Sequence, residues 1–256
     1  MSKNNMLIVG AIIVIVGGLF WYYNMGGFES YMPNTSATAT PTPMTSTNPS
    51  VEAKGKVEFL ITDAAASMQG VSSIMVTVDS MAVRSDTKGW VEVGGEAKTY
   101  DLLALKKSSE LKLISDATLE AGVYTEMRFH VSKIMVVDSK GASKEAKLPS
   151  GELKIKGEFT VNADKTAVVV FDFLADKSLH ITGDGKYIFA PVVKVDIKND
   201  VTVEMATNNV VKVAGGSNSA SFTVGMDEKG ELKTDFILDT KAKLEINTTG
   251  NVMIKL

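Results

Sequence analysis

From Lys54 onward, apolar residues recur at every second position, and this period constrains the fold more than any other feature of the chain. Val57, Phe59 and Ile61 alternate with Glu58, Leu60 and Thr62. Ile74, Val76 and Val78 do the same, as do Met127, Phe129 and Val131, and Leu153 and Ile155. Phe222 with Val224, Phe236 with Leu238, Leu244 with Ile246 and Val252 with Ile254 continue the pattern. Successive side chains of a strand point to opposite faces, so this alternation puts one face on a core and the other in water, the habit of antiparallel sheets. Turn signals separate the runs: Asp86-Thr87-Lys88-Gly89, Gly94-Gly95, Asp138-Ser139-Lys140-Gly141, Gly183-Asp184-Gly185, Asn208-Asn209, Gly215-Gly216 and Asp227-Glu228-Lys229-Gly230. Many short strands at such spacing predict an all-β fold, an antiparallel β-sandwich of immunoglobulin-like or transthyretin-like type. Only Asp101 to Lys107 reads as helix, opened by an Asp cap. The sandwich is expected over residues 54–200. Residues 201–256 are expected to be a C-terminal β extension or a small satellite β unit.

The N-terminus is built differently. Asn4 to Phe28 carry no charge, and Met6 to Tyr23 are almost wholly apolar. Those 18 residues would span roughly 27 Å as a helix, close to a bilayer's ~30 Å hydrocarbon core. Trp21, Tyr22 and Tyr23 stand where aromatic rings favour the headgroup layer. The run is longer than a secretory h-region, and the first Ala-x-Ala pattern, Ala37-Thr38-Ala39, is far downstream. The expectation is therefore a signal anchor over residues 6–25 behind a cytoplasmic n-region, residues 1–5, with a cleaved signal as the competing reading. Lys3 precedes the run and the next basic residue is Lys54, which leaves the N-terminus inside and the bulk of the chain extracellular or periplasmic. Residues 26–53 read as a linker. Thirteen of the 18 residues from Pro33 to Ser50 are Pro, Ser or Thr, too little apolar content to build a core. Asn34-Thr35-Ser36 and Asn247-Thr248-Thr249 match the N-glycosylation acceptor pattern.

A net charge of −3 argues against a nucleic-acid partner. With no cysteine, disulfides, thiol catalysis and Cys-ligated metals are excluded. Neither His130 nor His180 stands in a metal-ligand pattern, and nucleotide or nucleophile-elbow motifs are absent. No catalytic, metal or cofactor residue is expected. A binding-site rim is sought among His180, Arg128, Asp184 and Asp63. If Leu179 and Ile181 face the core, His180 faces the polar side near the Gly183-Asp184-Gly185 turn. Gly122-x-Tyr124 entering a strand is the pattern of a tyrosine corner, a structural feature. Trp90 reads as a core or sheet-edge aromatic rather than a ligand platform.

Several stretches together resemble the domain-of-unknown-function family 4382 of exported bacterial and archaeal proteins. They are Val57-x-Phe59-x-Ile61-Thr62-Asp63-Ala64, Trp90, Asp101-Leu102-Leu103-x-Leu105, Leu119-x-Ala121-Gly122-x-Tyr124-x-x-x-Arg128, Leu148-Pro149-Ser150-Gly151-x-Leu153-x-Ile155, Phe171-x-Phe173, Ser178-Leu179-His180 and Tyr187-x-x-x-Pro191. The resemblance spans about residues 54–199. It implies an extracytoplasmic β-rich domain and brings no activity or catalytic residue with it. Members are often lipoproteins; this chain, without cysteine, departs from that mode of attachment. His180 and Arg128 fall inside the resembling stretches.

The expected function is a membrane-anchored surface binding, adhesion or envelope-scaffolding module, with an unidentified envelope or surface ligand and no enzymatic activity. The alternatives are a filament subunit assembled by strand exchange and an uncharacterised hydrolase or metal-dependent enzyme.

Overall fold

The structure is a computed structural model that describes residues 52–64, 68–227, 230–238, 243–246, 248–249 and 252–255. The expected anchor at residues 6–25, the linker up to residue 51, and Asn34 and Asn247 lie outside these residues. Among the described residues, no helix is long and apolar enough to cross a membrane.

In chain order the first half comprises β1 (Lys54–Thr62), β2 (Val71–Ser85), β3 (Gly89–Gly94), β4 (Lys98–Asp101), α1 (Leu102–Ser108), β5 (Leu111–Glu120), β6 (Gly122–Asp138) and β7 (Ser143–Lys147). There follow β8 (Glu152–Val161), β9 (Thr166–Phe173), α2 (Ala175–Ser178), β10 (Leu179–Ile181), β11 (Tyr187–Phe189) and β12 (Val192–Met205). After a single 3-10 turn come β13 (Val210–Met226), β14 (Leu232–Thr234), β15 (Lys243–Ile246) and β16 (Val252–Lys255). The fold is mostly β. One sheet runs β12-β9-β1-β5-β13-β14. The other runs β10-β11-β7-β6-β2-β3, with β4 beside β2 and β8 beside β6. Their facing sides share one core. Phe59 of the first sheet meets Phe159 of the second edge-on at 6.0 Å, and Phe171 of the first meets Phe129 of the second at 4.6 Å. Such edge-to-face pairs add about 0.5–1.5 kcal/mol beyond the area they bury.

The wholly antiparallel expectation needs correction. β1 lies parallel to β9, and β11 parallel to β7. Alternation reports which face is buried and carries no information on strand direction. A second helix, α2, joins the one expected. In α1 the Asp101 side chain accepts from the N–H groups of Leu103 at 3.1 Å and Ala104 at 3.3 Å, which fixes the start of the helix.

β12 and β13 form a long hairpin that passes through residue 200 without a break. Its first part joins β9 in the main sheet. At Asp200, where φ is +58°, and opposite it at Gly215 and Gly216, with φ of +69° and +76°, the ribbon bends. Gly215-Gly216, which reads as a turn in sequence, thus lies inside a strand. Beyond the bend, Val201 and Val211 pack with Leu60, Leu113 and Val168 in a second core on the outer side of the sheet. Val210 and Val211 then pair with Lys112 and Leu111 of β5, so the sheet closes on itself. Leu60, which alternation places on a solvent face, is fully buried by this flap. Phe236 and Leu238 form no strand; Leu238 and Val252 instead cover Ile188 and Ala190.

Candidate functional site: the outer face of the eight-stranded sheet

β6 runs through the middle of its sheet, and its alternation sends Met127 and Phe129 into the core and Arg128 outward. Register sets the neighbours. Ala82 of β2 and Lys154 of β8 flank Arg128, and Glu92 of β3 stands beyond Ala82. Trp90 of β3 lies opposite Arg84, one position away on the same face. Ala82 is too small to separate Trp90 from Arg128, and the guanidinium stacks over the indole 4.0 Å from its centroid. Between them they cover Ala82, which is only 2% exposed.

Arg128 also reaches two carboxylates. Its Nη1 lies 3.4 Å from Glu152 and its Nη2 3.9 Å from Glu92. Lys154 pairs with Glu152 at 3.0 Å, and Arg84 with Glu126 at 3.7 Å. Farther along the face His130 Nδ1 lies 3.2 Å from Asp79, which also accepts from the Ser132 hydroxyl at 2.8 Å. Exposed pairs of this kind contribute about 0–1 kcal/mol each, so the network adds little to stability. Trp90 remains 37% exposed. The face therefore offers an open aromatic surface within a mesh of fixed donors and acceptors.

The other expected rim residues lie elsewhere. Leu179 packs into the core as expected, but His180 is also buried, at 2% exposed, and Ile181, expected inside, is 61% exposed. His180 stands opposite Ile188, on the side that the C-terminal segment covers. Asp63, also 2% exposed, directly follows β1 and accepts from the Ala175 N–H at the start of α2, at 3.4 Å. Asp184 is held in its own turn by Lys186 at 2.7 Å and by the Thr182 hydroxyl. The Lys186 and Thr182 hydrogen bonds pull its pKa down to about 2. Arg128 is the one of the four on the open sheet face. Tyr124 donates its hydroxyl to the Glu120 carbonyl at 3.1 Å, the bond of a tyrosine corner, and its ring stacks on Phe159 at 5.1 Å. Gly122, with φ of +153°, makes the turn into β6 that precedes it.

A second polar region lies on the first sheet, in a cleft of about 560 Å³ whose lining includes Asp172, Lys194, Asp196 and Lys198. Burial raises the Asp172 pKa, only partly offset by the Ala64 N–H that donates to it at 2.7 Å. Burial also pushes on Asp196, but hydrogen bonds from Lys194 at 2.8 Å and Ser221 at 2.6 Å outweigh it and hold that carboxyl low. Among the described residues, no group of three or more His, Asp or Glu is placed to hold a metal ion.

Residues 54–191, more than half of the chain, match the family described as Domain of unknown function (DUF4382), and the chain belongs to that family. No curated protein and no solved structure matches it. Trp90, Arg128, Glu92 and Glu152 as one site is not a sequence-level pattern. Both Trp90 and Arg128 stand in the stretches that carry the family resemblance, yet their meeting depends on the β3-β2-β6 register.

Proposed function

We propose that this protein is a membrane-anchored, extracytoplasmic β domain that binds a surface or envelope ligand on the outer face of its eight-stranded sheet. The observation that carries this reading is the Trp90–Arg128 stack, bracketed by Glu92 and Glu152 on an exposed face. This group keeps its aromatic and its charges open to a partner. An N-terminal helix over residues 6–25 would hold the chain at the membrane, with the Pro/Ser/Thr segment as spacer. The test is binding of the purified full chain, in detergent micelles, to isolated cell envelope. Saturable binding lost in Trp90→Ala and retained in Ile181→Ser, a change at another exposed site, supports the reading. Equal binding by all three chains refutes it.

One observation favours a second reading, a hydrolase. Asp172 is raised and Asp196 lowered in one cleft, and carboxyls pushed apart in this way serve as acid and base in paired-carboxylate catalysis. Under that reading Asp172→Asn and Asp196→Asn each abolish hydrolysis of a substrate turned over by the native chain.

A further inference from the structure

We infer that the Trp90–Arg128 face takes a neutral polysaccharide, the indole stacking on a sugar ring while Arg128, Glu92 and Glu152 hold its hydroxyls. This deepens the binding reading and rests on it.

Charge selects the class. Arg84, Arg128, Lys154 and Lys156, the last standing opposite Glu126, share this face with Glu92, Glu126, Glu152 and Asp79, and Glu92, Glu126 and Glu152 each lie within 3.9 Å of a cation. A polyanion or a polycation would meet as many repulsive groups as attractive ones and would have to break these pairs to dock. A neutral chain of hydroxyls has no such conflict. A hydroxyl both donates and accepts, whereas a guanidinium only donates and a carboxylate only accepts. Neighbouring hydroxyls on a sugar therefore suit a guanidinium set between two carboxylates, without either ion losing its partner.

The aromatic supplies the second requirement. A sugar ring presents a face of C–H groups, and an indole is a large, rigid apolar surface that meets it at small entropic cost. Arg128 fixes the Trp90 ring by stacking at 4.0 Å, and 37% of the residue stays open to solvent. The ligand is a polymer because Trp90, Arg128 and Lys154 come from β3, β6 and β8, so the polar groups extend across strands along an open sheet.

Affinity electrophoresis of the full chain in detergent, through gels containing dextran, mannan or hydroxyethylcellulose, tests the inference. Carboxymethylcellulose and polylysine serve as charged probes. The expected result is retardation by at least one neutral polymer that survives high salt, and about ten-fold weaker retardation, near 1.4 kcal/mol, for Trp90→Ala. Glu92→Gln combined with Glu152→Gln, one exposed and one half-buried position outside the core, gives a second variant with the same expected loss should Trp90→Ala fail to fold. Retardation by the charged polymers alone overturns the inference, and so does retardation unaffected by both variants. If no neutral polymer retards the chain while envelope binding still depends on Trp90, the ligand class is wrong and the binding reading stands. If envelope binding is also independent of Trp90, both fail.

Discussion

Asp172 is a carboxyl whose ionisation the fold opposes. Burial raises its pKa, so the folded protein holds the proton more tightly than the unfolded chain, whose value is near 3.8. Stability is therefore undiminished below that value and falls as pH rises through the interval up to the raised folded value. Asp172→Asn removes the penalty and keeps an oxygen for the Ala64 N–H. It should raise the melting temperature at pH 7, with the gain vanishing as pH drops below the carboxylate range. Tyr124→Phe goes the other way. It deletes one hydroxyl bond to Glu120 and leaves the stack on Phe159, for a loss of about 1 kcal/mol measured by denaturant titration. An unchanged midpoint would mean the hydroxyl bond contributes nothing. His180 marks the limit of single-residue reading. Alternation specifies that neighbours face opposite ways but not which faces inward, and here the inward side is set by segments distant in sequence that cover Ile188.

At the scale of elements, the strand runs around Ile74, Met127 and Leu153 were legible because each buries one face only, and Asp101 announced α1 by chemistry that acts within one turn. β1 was harder to read. Its odd positions face the core shared by the two sheets, while Leu60 packs into the second core beneath the β12–β13 flap and Glu58 is only 2% exposed. Nothing near β1 in sequence foretells that cover, or the parallel pairing with β9. The flap itself depends on its bend. A Cβ at Gly216 would come within 2.5 Å of Val201 Cγ1 and 2.6 Å of the Asn199 carbonyl, whereas at Gly215 nothing lies within 4 Å. Both glycines have positive φ, which costs an L-residue about 1–2 kcal/mol. Gly215→Ala should lose about that much, and Gly216→Ala distinctly more, with faster hydrogen exchange in residues 201–213. Equal losses would show that the bend tolerates a side chain. The site was legible only in parts: Arg128 stood out as a candidate, but Trp90 as its partner required the register across three strands.

For the molecule as a whole, the N-terminal run should keep the chain in the membrane fraction through carbonate washing, with residues 52–256 open to protease from outside the cell. A soluble form beginning after residue 24 would contradict the anchor. Pairing sets β3, β2, β6 and β8 side by side, and the proposed function requires that the outer face of these strands meets the ligand. The chain has two tryptophans, Trp21 and Trp90, so a Trp21→Phe chain reports Trp90 alone. Titrating that chain, in micelles, with solubilised envelope material while recording tryptophan emission is the most direct test. Binding on this face should give a saturable change in Trp90 emission that disappears in the Arg128→Ala background. Envelope binding that saturates with the emission unchanged would place the ligand on another surface.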